Sequence, residues 1–258
     1  MKEQRTIMGM PISIEIADTS ATKKDFDDVF AYFTRVDETF SVYKDTSEIT
    51  RINNGELPEE LWSEEMKEVF AYAEETKQAT DGYFDIVRAD GTYDPSGIVK
   101  GWAIHNAAVL LTDKGFTNFC IDAGGDIELS GNNSEGLPWR VGIRNPWSGV
   151  KDRLFDKEKD TLVKVIAGSA IGVATSGSYL LGSHIYNPHE RNREIADVVS
   201  LTVIGPNVYE ADRFATAAFA MGREGIYFIE QLPGFEGYMI DREGIATATT
   251  NFSTFVVQ

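Results

Sequence analysis

Glu210-Ala211-Asp212-Arg213-Phe214-Ala215-Thr216-Ala217-Ala218-Phe219-Ala220-Met221-Gly222 reads as one short helix closed by a glycine. After Thr216 nearly every residue is small or apolar, which marks a helix enclosed by a core. Asp212 and Thr216 stand four residues apart and so stack on one face. A carboxylate and a hydroxyl inside a core need partners. A hard cation such as Mg2+ would satisfy both oxygens at once. The competing reading makes Asp212 a helix-start acid that answers the helix dipole, with Thr216 bonded back to a carbonyl. The helix by itself leaves both readings open.

Outward from this helix the pattern alternates between strands and helices. The β-branched run Val198 to Ile204 precedes it as a strand. Glu224 to Glu230 follows as a second helix, and Tyr238 to Ile240, Ala246 to Thr250 and Phe255 to Val257 close a sheet. Toward the N-terminus, Met8 to Ile16 alternates into a strand with Met10, Ile12, Ile14 and Ile16 on one side. Lys24 to Phe40 is an amphipathic helix, Ser47 to Asn53 a helical turn, and Ser63 to Thr80 a helix with Ser63 as its N-cap. Ile98 to Lys114 reads as a helix closed by Gly115. Asn118 to Asp122 and Ile127 to Leu129 form a hairpin around Gly124-Gly125-Asp126, and Trp139 to Ile143 and Val163 to Val173 read as further strands. No regular βαβ rhythm appears. The expectation is an α+β fold with mixed or antiparallel sheets and packed helices, as one domain over 1–258 or as two intimately packed α+β subdomains.

Composition excludes several classes. With 258 residues and 42% hydrophobic residues, the chain can bury a large core. A net charge of -17 argues against nucleic acid and anionic membrane surfaces as partners. A phosphate-bearing ligand would bind only where backbone N–H groups, a local cation or a metal override that field. Cys120 is the only cysteine, so neither an internal disulfide nor a cysteine-rich zinc site can form, and its apolar flanks predict an inert thiol. No window reads as a membrane span and no apolar leader opens the sequence, so a cytoplasmic location is expected.

Other candidate residues each carry a plain alternative. The paired glycines of Gly124-Gly125-Asp126 would let backbone N–H groups approach a ligand, or would only make a turn. Ser176-Gly177-Ser178-Tyr179 suits an anion-binding nest or a turn. His184 is a candidate acid–base group or a structural histidine, whereas His189 sits in a polar loop that predicts simple exposure. Asp85 suits a turn role, and Tyr43 suits stacking on a planar ligand or ordinary packing. Lys100 lies near a helix start, where the dipole disfavours it; that position calls for a reason.

In this order the pieces resemble the ApbE family of FAD:protein FMN transferases. The resemblance is carried by Met8-Gly9-Met10, by Ser41-Val42-Tyr43 with Ser47-Glu48-Ile49 through Asn53, and by Asp81-Gly82-Tyr83-Phe84-Asp85. It continues through Lys100-Gly101, Gly124-Gly125-Asp126, Ser176-Gly177, His184-Ile185-Tyr186-Asn187-Pro188 and the Ala211-Asp212…Thr216 helix. It implies a T-fold-related architecture with a FAD cleft and Mg2+ near the pyrophosphate. The implied reaction moves FMN from FAD to a Thr or Ser hydroxyl of a target flavoprotein and releases AMP. By the same resemblance the Ala108 carbonyl, Asp212 and Thr216 are the metal ligands. Met8, Tyr43, Tyr83, Phe84, Asp85, His105 and Ile185 line the FAD, and His184 and Asp212 carry the catalysis. Three positions depart from the family's pattern: His105 stands where an acid that contacts FAD is usual, Asn187 replaces an Asp, and Ala215 stands where some relatives have an acidic metal ligand. The alternatives are a Mg2+-dependent FAD pyrophosphatase that yields FMN and AMP, or a non-catalytic FAD-binding protein.

Overall fold

The computed structural model describes residues 1–148, 162–177, 186–190 and 195–257. The candidates His184 and Ile185, and the residues Ser178-Tyr179, lie outside the described residues.

The chain begins with a hairpin. Strands β1 (Lys2–Ile7) and β2 (Met10–Ile16) are joined by Met8 and Gly9, both at positive φ (55° and 72°). Such a pair matches the right-handed twist of the strands it connects. The strand expected from Met8 therefore starts at Met10, and β1 was not foreseen. Its charged residues lie on the sheet edge, where charge blunts further pairing instead of filling a core.

Four helices follow: α1 (Lys23–Phe40), α2 (Glu48–Asn53), α3 (Glu64–Ala79) and α4 (Ser96–Asp113). Ser47 and Ser63 cap α2 and α3 by accepting the N–H groups of Thr50 and Met66 at 3.1 Å each. Helix α4 is buried around most of its circumference, from Ile98 and Trp102 to Ala107 and Leu111. Strands β3 (Phe119–Ala123), β4 (Asp126–Ser130), β5 (Trp139–Arg144), β6 (Leu162–Gly168), β7 (Ala170–Gly177) and β8 (Val198–Gly205) come next. The stretch read as one strand through Val173 is thus two strands, parted at Ser169. Helices α5 (Val208–Ala220) and α6 (Gly225–Glu230) precede β9 (Glu236–Asp241) and β10 (Ala246–Ala248).

Among the described residues the main sheet has eight strands in the order β1-β2-β3-β4-β7-β8-β9-β10, with every neighbouring pair antiparallel. The expected α+β class holds. One face is covered by helices in two groups. Ile12, Ile14, Ile16, Phe119 and Ile121 pack beneath α1, α3 and α4. Leu201, Val203 and Met239 pack beneath α5 and α6. The other face carries the β5–β6 ribbon over Ile127, Val173, Ile204 and Tyr238. Alternating strand residues supply the two faces, as the pleat requires. Phe255–Val257 does not close the main sheet. It joins the ribbon, where Ala167 N–H donates to the Phe255 carbonyl (2.9 Å) and Val257 N–H to the Val165 carbonyl (3.0 Å).

Candidate active site at one end of the sheet

Helices α4 and α5 run past each other antiparallel with matched spacing. Gly101 N–H, inside α4, donates to Asp212 Oδ2 of α5 at 2.8 Å. A Cβ on Gly101 would lie 2.7 Å from Asp212 Cβ, so only glycine allows this approach. One turn earlier on α4, a Cβ on Gly97 would sit 3.4 Å from Thr216 Cγ2 and 3.3 Å from the Phe84 ring. One turn later, His105 Nδ1 lies 3.5 Å from Glu128 Oε1, while Glu128 Oε2 accepts the Val208 N–H that opens α5. Gly97 thus faces Thr216, Gly101 faces Asp212 and the Val208 carbonyl, and His105 lies by Glu128.

Asp212 is 3% exposed and Asp126, at the head of β4, is 1% exposed. The Lys100 ammonium is in contact with Asp126 Oδ2 and stands 3.8 Å from Asp212 Oδ1. Asp126 Oδ1 accepts the Thr175 N–H (3.0 Å), which ties the cluster to β7. Burial pushes the Asp212 carboxyl up to about 7, with Lys100 opposing the rise and Asp126 adding to it. Burial also works against the charge of Lys100, but Asp126 and Asp212 outweigh it and hold the ammonium above the ordinary lysine range. The awkward place of Lys100 in the first turns of α4 thus has its reason in two carboxylates.

The neighbouring Arg213 points away from this cluster and locks α5 in rotation. Its guanidinium donates to Glu210 (2.6 Å), Glu75 (3.2 Å) and Thr76 Oγ1 (3.2 Å) and lies over the Phe214 ring.

The two tight turns of the first sheet strands meet beside the same cluster. Gly124 and Gly125 adopt φ of 64° and 102°, Gly124 N–H donates to the Pro11 carbonyl (3.1 Å), and Asp122 Oδ1 accepts Gly125 N–H (2.9 Å). A Cβ on Gly124 would touch Met10 Sδ at 3.0 Å. The turn carrying Met8 therefore lies next to the one that delivers Asp126.

The remaining candidates divide. Phe84 is 4% exposed and packs in the principal core, so its ring cannot serve as an open ligand contact. Asp85 takes the expected turn role: it accepts Val87 N–H (2.9 Å) and pairs with Lys77 (3.0 Å). Tyr83 is half-buried, and His189 meets it edge-on at 4.5 Å while bonding to the Asp81 carbonyl at 2.9 Å. His189 is exposed but not idle, contrary to the reading of its loop. Tyr43 is 91% exposed, three residues beyond Phe40, whose ring packs on Trp102 of α4. Ala108 is not brought to the cluster. It lies seven residues beyond Gly101, about 10 Å along the axis and past the N-terminal end of α5, and its carbonyl accepts Thr112 Oγ1 (2.9 Å). Asp126 and Glu128 had no assigned role in the sequence; Lys100 alone carried a signal.

Among the described residues no three His, Cys, Asp or Glu side chains gather closely enough to hold a metal by themselves. The pattern of the ApbE family matches residues 8–92 and 87–239. The chain belongs to the ApbE family. A FAD:protein FMN transferase of Escherichia coli (strain K12) is 33% identical over 175 residues, which cover 64% of this chain and 47% of that one. One of Klebsiella pneumoniae (strain 342) is 31% identical over the same shares. The chain spans about half the length of these curated relatives. The solved flavin transferase ApbE from Vibrio cholerae superposes with a TM-score of 0.81 at 23% identity, covering 99% of this chain and 98% of that one. The ApbE protein from Thermotoga maritima gives 0.84 at 20% identity, covering 100% and 99%. At these identities the likeness establishes an ApbE fold.

Proposed function

We propose that this ApbE-family protein is a Mg2+-dependent FAD:protein FMN transferase. It attaches FMN to a Thr or Ser hydroxyl of a target flavoprotein and releases AMP. The observation that carries the reading is Asp212: a carboxylate buried against the Gly101 amide and the Lys100 ammonium, beside Thr216, within the family's own motif order. Its relatives are named for this reaction.

The donors at the seam suit a small hard cation. Asp212 offers a carboxylate and Thr216 a hydroxyl. The third donor assigned here is the Gly97 carbonyl, in place of Ala108. In a regular helix the Gly97 carbonyl accepts the Gly101 N–H, which here also donates to Asp212, and a carbonyl has two lone pairs, so one is open to an ion. With few protein donors, phosphate oxygens and water must complete an octahedral shell. When bound, the ion would neutralise the pyrophosphate of FAD.

The chain's own groups have separate work. Lys100 adds positive charge beside the phosphates in a strongly acidic protein. Tyr43 is free to stack on the flavin, an interaction of about 1 kcal/mol. The acceptor oxygen attacks the phosphorus on the FMN side, the bond from that phosphorus to the bridging oxygen breaks, and AMP leaves with that oxygen. The acceptor's proton passes to a base, a role assigned to His184; general bases contribute roughly 100- to 10,000-fold.

Incubation with FAD and Mg2+, with and without a Thr-containing acceptor peptide, tests the reaction. Covalent flavin on the peptide with AMP released is the expected result, lost in Asp212→Ala while the fold is kept. AMP without acceptor would make the protein a pyrophosphatase, and tight FAD binding with no AMP in either arm would sink both enzymatic readings.

A further inference from the structure

We propose that Lys100 is a built-in cation that occupies the charge position beside Asp212, so that a divalent ion binds well only together with an anionic phosphate ligand. The inference rests on the reading of Asp212 as a metal ligand. A metal binds Asp212 as the carboxylate; with Asp126 also ionised and Lys100 charged, that form of the cluster carries a single net negative charge, and a divalent ion turns it into a single net positive one.

Lys100 cannot leave easily. Its ammonium is held in contact with Asp126, which is itself fixed by the Thr175 amide, and the lysine side chain is only 28% exposed. The other oxygen of Asp212 is taken by Gly101 N–H. An ion arriving at Asp212 Oδ1 therefore meets an ammonium 3.8 Å from that oxygen. Two cations that share one carboxylate oxygen repel strongly in a dry site. The same ammonium attracts a diphosphate. Lys100 thus weakens metal binding to the empty protein and strengthens nucleotide binding to the metal-free protein. Glu128 is engaged by the Val208 N–H at the start of α5, so this carboxylate of β4 does not relieve the repulsion.

The opposite signs make the test. Mg2+ affinity of the nucleotide-free protein is measured by calorimetry, and FAD affinity without metal by quenching of flavin fluorescence. In Lys100→Met, Mg2+ should tighten about tenfold and metal-free FAD should weaken about tenfold. Lys100→Gln carries the same expectation should the Met variant fold poorly, and Lys100→Arg, which keeps the charge, should behave as the parent. Mg2+ binding by Lys100→Met but not by the parent also supports the proposal. A folded variant in which both affinities fall, or neither changes, overturns it and leaves the metal reading standing. No Mg2+ binding by the parent or by any Lys100 variant overturns both.

Discussion

At the scale of single residues, Asp212 is the group whose ionisation is most entangled with the fold. Burial raises its carboxyl to about 7 from an ordinary 3.8. The folded metal-free protein therefore holds this proton more tightly than the unfolded chain. The resulting stabilisation is fully present below about pH 4 and is lost as the pH rises through about 7. Carboxylates such as Asp25, drawn down to about 2 by the Thr22 hydroxyl and amide, act in the other direction and weaken the fold only in strong acid. Between pH 4.5 and 7.5 the difference between the parent and Asp212→Asn isolates the one group. We predict that the Tm of the metal-free parent falls relative to the variant by roughly 5 °C across that range. Parallel melting curves at all pH values would show that Asp212 is ionised throughout. His105 and Ala215 are two of the three positions where the sequence departs from its family's pattern. The structure sets His105 Nδ1 3.5 Å from Glu128 without a hydrogen bond and buries Ala215 completely in the core beneath α5.

At the scale of elements, the seam between α4 and α5 decides the site, and it shows what a sequence can and cannot disclose. Helix bounds, the Ser47 and Ser63 caps and the Gly124-Gly125 hairpin were legible because each rests on local chemistry within a few residues. The pairing of Gly101 with Asp212 joins residues 111 apart, and no local pattern encodes it. Only the misfit of Lys100 with its helix dipole pointed toward it. Ala108 was a metal ligand by resemblance alone, and a resemblance does not say where along α4 helix α5 ends. The ribbon partner of Phe255–Val257 was hidden likewise, since an apolar strand does not name its sheet. Gly101→Ala tests the seam. Alanine would favour the helix by about 1 kcal/mol over glycine. Its Cβ, however, would stand 2.7 Å from Asp212 Cβ and 3.0 Å from the Val208 carbonyl, neither of which is the free end of a flexible chain. Overpacking of about 1–3 kcal/mol should therefore win. We predict a net loss near 1 kcal/mol, read as a Tm lower by roughly 2–4 °C, together with weaker Mg2+ binding. A variant as stable as the parent would mean that the helices are looser than their spacing indicates.

At the scale of the whole molecule, two electrostatic tendencies oppose each other. The sequence has 41 acidic and 24 basic residues, and the excess negative charge repels itself in the compact state. Against this stand ion pairs on the surface, such as Lys114 with Asp28 and Arg223 with Glu243. Exposed pairs of this kind contribute about 0–1 kcal/mol each, and salt screens them. Salt also screens the repulsion, which acts over the whole surface and is not confined to a few contacts. The Debye length shrinks from about 30 Å at 0.01 M to about 10 Å at 0.1 M, so the long-range repulsion is lost first while contacts of 3 Å persist. The Tm should therefore rise by a few degrees between 10 and 300 mM NaCl at pH 7.5, monitored by circular dichroism without divalent ions, with most of the gain below about 100 mM. A falling Tm would place the ion pairs above the net charge. With FAD present and at equal ionic strength, MgCl2 should exceed NaCl, and the excess should vanish in Asp212→Asn, because screening is indifferent to one buried carboxylate whereas coordination is not.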